Sequence, residues 1–131
     1  MSKYLAYPQI IFKDRGLLMA ALADLGYTQV EDGQDLPLYG YRGDRRPETA
    51  GLVVRREHIG SASNDLGFVR SADGYFPIIS DYDQRTLLEG RFLPRLRVAY
   101  AEHVVETVRK RLRASVRRTV EGSVVKLKVR Y

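Results

Sequence analysis

The residues able to do chemistry in this sequence are two histidines, a scatter of aspartates, one small polar loop and a crowd of cations near the C-terminus. His58 and His103 fall in no metal-spaced or nucleophile-spaced pattern, and a zinc centre needs three or four ligands. No metal and no cofactor is expected, and both rings are read as solvent-facing or structural. Asp81 and Asp83, with Asp65 and Asp73 upstream, are the residue type that general acid–base or divalent-metal chemistry uses at strand ends. Turn and helix-capping roles fully account for each of them, so no catalytic residue is assigned and an enzyme is the third-ranked reading. Gly60-Ser61-Ala62-Ser63-Asn64 offers backbone amides to an anion, but it lacks the lysine and glycine spacing of a phosphate loop.

Two basic groups remain. Gly40-Tyr41-Arg42-Gly43-Asp44-Arg45-Arg46 mixes an aromatic ring with Arg42, Arg45 and Arg46, a combination suited to stacking on bases and pairing with phosphates. The larger group is C-terminal. The net charge of +6 is divided unevenly: residues 1–90 hold 10 Lys/Arg against 13 Asp/Glu, and residues 91–131 hold 12 against 3. Arg109, Lys110, Arg113, Arg117, Lys126, Lys128 and Arg130 are the candidate binding surface. One or two cations at a helix C-terminus complement its dipole; this set is larger, and it suggests a partner of negative potential.

The elements that must position these groups are read from period and punctuation. Residues 3–12 favour a strand, with Pro8 confining it to an edge or a bulge. Asp14 caps a helix whose Leu17, Leu18, Ala21, Leu22 and Leu25 share a face, and Gly26 suits its left-handed end. Residues 27–30 read as a short strand, 31–35 as an acidic turn, 36–41 as a strand, 42–50 as a solvent-facing loop and 51–56 as a further strand. Asp73-Gly74 joins strands 66–72 and 75–80 in a hairpin. Asp81 or Asp83 caps a short helical turn.

A long helix begins near Leu93, with Leu96, Tyr100, Val104, Val108 and Leu112 on one side and Arg95, Glu102, Glu106, Arg109 and Arg113 on the other. Residues 116–120 and 123–131 flank Glu121-Gly122 as a final hairpin. Its outer face would carry Arg117, Lys126, Lys128 and Arg130, with Arg118 falling on the apolar side opposite Val125.

The whole is expected to be one α+β domain over residues 1–131: a mostly antiparallel sheet with two helices on one face, in the order β-α-β(several)-α-β-β. At 44% hydrophobic and 29% charged residues the composition is that of a globular chain. The absence of cysteine excludes disulfides, thiolate zinc sites and cysteine nucleophiles. With no leader-like N-terminus and no long apolar run, a cytoplasmic protein without a membrane span is expected.

The run Leu17 to Tyr27 ending in ALADLGY (residues 21–27), the Gly40-Tyr41-Arg42-Gly43 turn, Asp65-Leu66-Gly67-Phe68, Asp73-Gly74-Tyr75 and the terminal Gly122-Ser123 hairpin together resemble the hypothetical chloroplast frame thirty-five family of cyanobacteria, red-algal plastids and other bacteria. The resemblance covers nearly the whole chain. It implies the same small α+β fold and brings no activity, cofactor or catalytic residue. The chain departs from that family in the arginine content of residues 42–50. The function expected from the residues is a non-catalytic accessory protein docking an acidic protein partner through the basic helix and hairpin. RNA or single-stranded nucleic acid is the alternative partner.

Overall fold

The computed structural model describes residues 2–121. Five strands, β1 (Tyr4–Ala6), β2 (Glu31–Tyr39), β3 (Arg45–Val54), β4 (Leu66–Ser71) and β5 (Gly74–Ser80), form one antiparallel sheet in the order β1-β5-β4-β3-β2. Three helices accompany it: α1 (Arg15–Asp24), α2 (Asp81–Thr86) and α3 (Phe92–Glu121). The expected pair of helices on one face corresponds to α1 and α3; the third, α2, is a short connector.

α1 follows its sequence cues closely. The Asp14 carboxylate accepts the Leu17 amide at 2.9 Å, satisfying an N–H that the first turn leaves open. Gly26, at φ +99°, ends the helix in the left-handed region. Leu18, Ala21 and Leu22 then meet Leu52, Val54, Leu66, Phe68, Tyr75 and Ile79 of the sheet and Phe92, Leu93, Leu96 and Ala99 of α3 in one core. Phe12 stands edge-on to both Phe68 and Tyr100, at 6.1 and 5.1 Å between ring centres.

The other sheet face is closed by its own side chains. Tyr4, Leu38, Ala50, Val53 and Ile78 form a second buried cluster, gathered over Gly67 because that residue has no side chain. A Cβ there would come within 2.8 Å of the Ala50 Cβ and 2.9 Å of Ile78 Cγ2.

Several expectations are corrected. Residues 27–30 form no strand, and the acidic stretch 31–35 is not a turn: it lies inside β2, where the register against β3 slips between Asp32 and Leu36 and Asp35 takes φ +50°. A bulge uses the same Gly and Asp residues as a turn. The expected loop 42–50 is mostly strand, because β3 begins at Arg45, and the turn is confined to residues 40–44, where Gly40 N–H donates to the Asp44 carbonyl at 2.8 Å. That end of the hairpin sits at the sheet edge in solvent, so its strands have no need of apolar residues.

A further correction concerns the C-terminus. α3 runs through Glu121, so residues 116–120 are helical rather than the first strand of a hairpin. Val116 and Val120 also continue a four-residue step from Leu112, and an established helix gains one hydrogen bond per added residue. Thr119 Oγ1 donates to the Ser115 carbonyl at 3.0 Å, the helical alternative for a strand-favouring residue. Residues 122–131, the expected second strand with Lys126, Lys128 and Arg130, lie outside the described residues. Asp81 and Asp83 do not cap α2; Ser80 does, accepting the Asp83 amide at 3.1 Å.

Gly67→Ala is expected to destabilise the protein by about 1–3 kcal/mol through overpacking, measured as a lowered urea midpoint with unchanged slope.

Candidate functional site

Polar groups that the sequence scatters over eighty residues meet at one end of the sheet. Asp65, 1% exposed, sits at the entry to β4. Its Oδ2 accepts the Tyr39 amide and Arg55 Nη1, each at 2.8 Å, and its Oδ1 accepts the Arg56 amide at 2.8 Å. Its backbone carbonyl accepts the Tyr4 hydroxyl at 2.6 Å. One residue thereby ties β1, β2 and the end of β3 to β4. Arg55 also donates to the Pro37 carbonyl at 2.7 Å and pairs with Glu31, whose carboxyl that guanidinium holds below its ordinary range.

Next to it, Asn64 N–H donates to Asp83 Oδ2 at 3.0 Å and Asn64 Nδ2 to Ser80 Oγ at 2.9 Å, while Asn64 Oδ1 accepts the Tyr41 amide at 2.9 Å. Burial, then the charges of Asp65 and Asp83, push the Tyr4 hydroxyl far above the ordinary tyrosine range. It stays a donor.

Asp65 and Asp83 are the two expected carboxylates that the fold brings to one region. Both are buried and taken up by structural donors, leaving neither a substrate-facing oxygen; Asp83 Oδ1 is enclosed with no hydrogen-bond partner among the described residues. Asp73 lies in the β4–β5 turn, apart from them. Asp81 is half-buried and is held below the ordinary carboxylate range chiefly by the Lys3 amide. It lines an open cleft of about 310 Å³ with Tyr41, Ala62, Tyr82 and Arg85.

The small polar loop is committed as well. Arg56 donates to the Ser63 carbonyl at 3.1 Å and to the Ser61 carbonyl at 3.0 Å, so the loop turns oxygens toward a cation. His58 stands 3.7 Å from Glu57, and His103 pairs with Asp24 at 2.7 Å, joining α3 to the end of α1. No group of three or more metal-binding side chains exists among the described residues.

The arginines of the 40–46 turn divide. Arg42 lies over the Tyr41 ring and donates to its hydroxyl at 2.9 Å. Arg46 is half-buried over the Tyr4 ring and donates to the Ser2 carbonyl at 2.8 Å, so it serves the fold. Arg45 is exposed at the start of β3.

α3 holds the remaining candidates. Phe92, Leu93, Leu96 and Ala99 are buried; beyond them no side chain of residues 101–120 is. Between residues 107 and 120 the sequence carries six cations and no acid. At 100° per residue, Arg109, Lys110, Arg113 and Arg117 fall within about 100° of one another. Continuation of the helix therefore gathers Arg117 with the other three, where the expected hairpin would have separated them. Arg118 is exposed on the helix; its expected partner Val125 lies outside the described residues. The Asp65 clamp escaped the sequence reading; the cue available was Arg55-Arg56 ending one strand nine residues before a polar Asn64-Asp65 that opens the next.

These features define a small α+β protein whose Asp65 is taken up by structural donors and which carries a run of cations on one exposed helix. The chain belongs to an uncharacterised family: the family model described as Protein of unknown function (DUF1257) matches residues 21–123. No curated protein and no solved structure matches it. No helix among the described residues is long and apolar enough to cross a membrane.

Asp65→Asn leaves Arg55 facing a neutral partner and sets an amide N–H against donors. A loss of about 3 kcal/mol or more is expected, as for broken buried pairs, read by chemical unfolding.

Proposed function

We propose that the chain is a non-catalytic accessory protein that docks an acidic protein partner through the cationic face of α3. Arg109, Lys110, Arg113 and Arg117 form the described part of that surface, and Lys126, Lys128 and Arg130 are its continuation in sequence. The observation that carries the reading is the run of six cations without an acid on a helix that has left the core. Only Arg109 among the six has an acidic partner among the described residues, Glu106 at 2.8 Å. The exposed cations keep their hydration and create a local positive potential that raises the encounter rate with an acidic surface. We infer also that the uncharacterised family is the hypothetical chloroplast frame thirty-five family, on the ordered motifs at residues 21–27, 40–43, 65–68 and 73–75.

Fluorescence polarisation with a polyglutamate peptide, beside mixed RNA and single-stranded DNA, tests the reading. The peptide should bind, and Lys110→Glu/Arg113→Glu/Arg117→Glu should weaken it about 10-fold or more, since three exposed pairs at about 0.5 kcal/mol each sum to about one decade. Thermal unfolding should stay unchanged. Peptide binding equal in the variant contradicts the docking face. Tighter binding to nucleic acid, falling log-linearly with salt, replaces the acidic partner with RNA or single strands.

A further inference from the structure

The cations occupy one side of distal α3; another side is aliphatic. Val98, Ala101, Val105, Val108, Leu112 and Ser115 recur at alternating steps of three and four, which is a heptad spacing. Val98, Val105 and Val108 are 59%, 53% and 56% exposed, and Val104 and Val116 flank them. This row is distinct from the core face of α3, on which Phe92, Leu93, Leu96 and Tyr100 meet the sheet and α1.

We propose that this row pairs with the same row of a second copy of the chain, parallel and in register, as a two-stranded coiled coil over residues 98–119. The paired length is about 33 Å, three heptads, the lower end of what a helical seam requires. Val98, Val105 and Leu112 take the first heptad position, and Ala101, Val108 and Ser115 the fourth, where the two small residues let the helices approach closely. A groove of about 600 Å³ beside the end of α1, whose walls include Leu25, Pro94, Val98 and Ala99, extends the contact onto the domain.

Charge selects the occupant. Arg97 and Glu102 flank the seam, both are exposed, and neither has an ion-pair partner among the described residues. In a parallel pair the residue before one seam position reaches the residue five further on in the other helix, so Arg97 meets Glu102 of the second copy, twice per dimer. The next flanks place Val104 beside Arg109 and Arg111 beside Val116, arginine stems against valines. An antiparallel pair centred between Val105 and Val108 sets Arg97 against Arg118. The parallel second copy avoids that conflict and gives Arg97 and Glu102 to each other, and it leaves Lys110, Arg113 and Arg117 on the outside of the pair, free to dock an acidic partner.

Sedimentation equilibrium of the full chain tests the pairing. At high micromolar concentration the mass should approach twice the 15.0 kDa of one chain, and Val105→Glu/Val108→Glu should return it to one chain with thermal unfolding preserved at low concentration. Because the chain has no cysteine, a single Val105→Cys should oxidise to a covalent dimer, whereas Lys110→Cys on the outer side should not. A one-chain mass at every concentration overturns the proposal, as do a dimer indifferent to the valine substitutions and equal cross-linking of the two cysteine variants. The outward Lys110, Arg113 and Arg117 reversals should leave the mass unchanged, so docking and pairing fail separately.

Discussion

The joint between the first two turns of α3 and the sheet is the constraint on which the molecule depends. Phe92, Leu93, Leu96 and Ala99 fill the core under Leu22, Phe68 and Ile79, and Tyr100 accepts the Asp14 amide at 3.0 Å, tying α3 to the start of α1. A helix of thirty residues is about 45 Å long, and the core supports only its first third. Backbone hydrogen bonds within a helix are local, so α3 continues past its support. Beyond that third, water rather than packing inside this domain governs which side chains the helix carries.

At the other end of the sheet, the Asp65 clamp does by charge-assisted hydrogen bonding what the core does by burial. It closes the orphan amides of Tyr39 and Arg56, where two strands end, and satisfies a buried tyrosine hydroxyl. Low dielectric strengthens such a network only while every member is paired. Asp65, one of the carboxylates that looked like chemistry in the sequence, is thereby explained as architecture.

Local signals were legible in the sequence. The Asp14 cap, the Leu18–Leu22 face, the Gly26 stop and the Asp73-Gly74 hairpin each arise from a few neighbouring residues, and each is present. The β2 bulge was not legible, because Gly33 and Asp35 favour a turn and a bulge for the same conformational reason. The fate of residues 116–120 was not legible either: Val116 and Val120 suit a strand by propensity and a helix by spacing, and the helix already formed upstream decides between them. For the candidate surface, charge counting found Arg109, Lys110 and Arg113 on their helix, whereas the grouping of Arg117 with them depended on where that helix ends. Arg46 was counted as available because nothing in its neighbourhood announces the distant Tyr4 ring beneath it.

One helix therefore begins as core and continues with an aliphatic side and a cationic side, each offered to a different kind of contact. Hydrogen exchange along α3, monitored at low and high chain concentration, measures this division most directly. The account predicts that amides within residues 95–100 exchange slowly at both concentrations, while those of residues 104–118 exchange fast in dilute solution and slow markedly when concentrated. Fast exchange of residues 104–118 at both concentrations, or protection equal to that of residues 95–100 already in dilute solution, would contradict it.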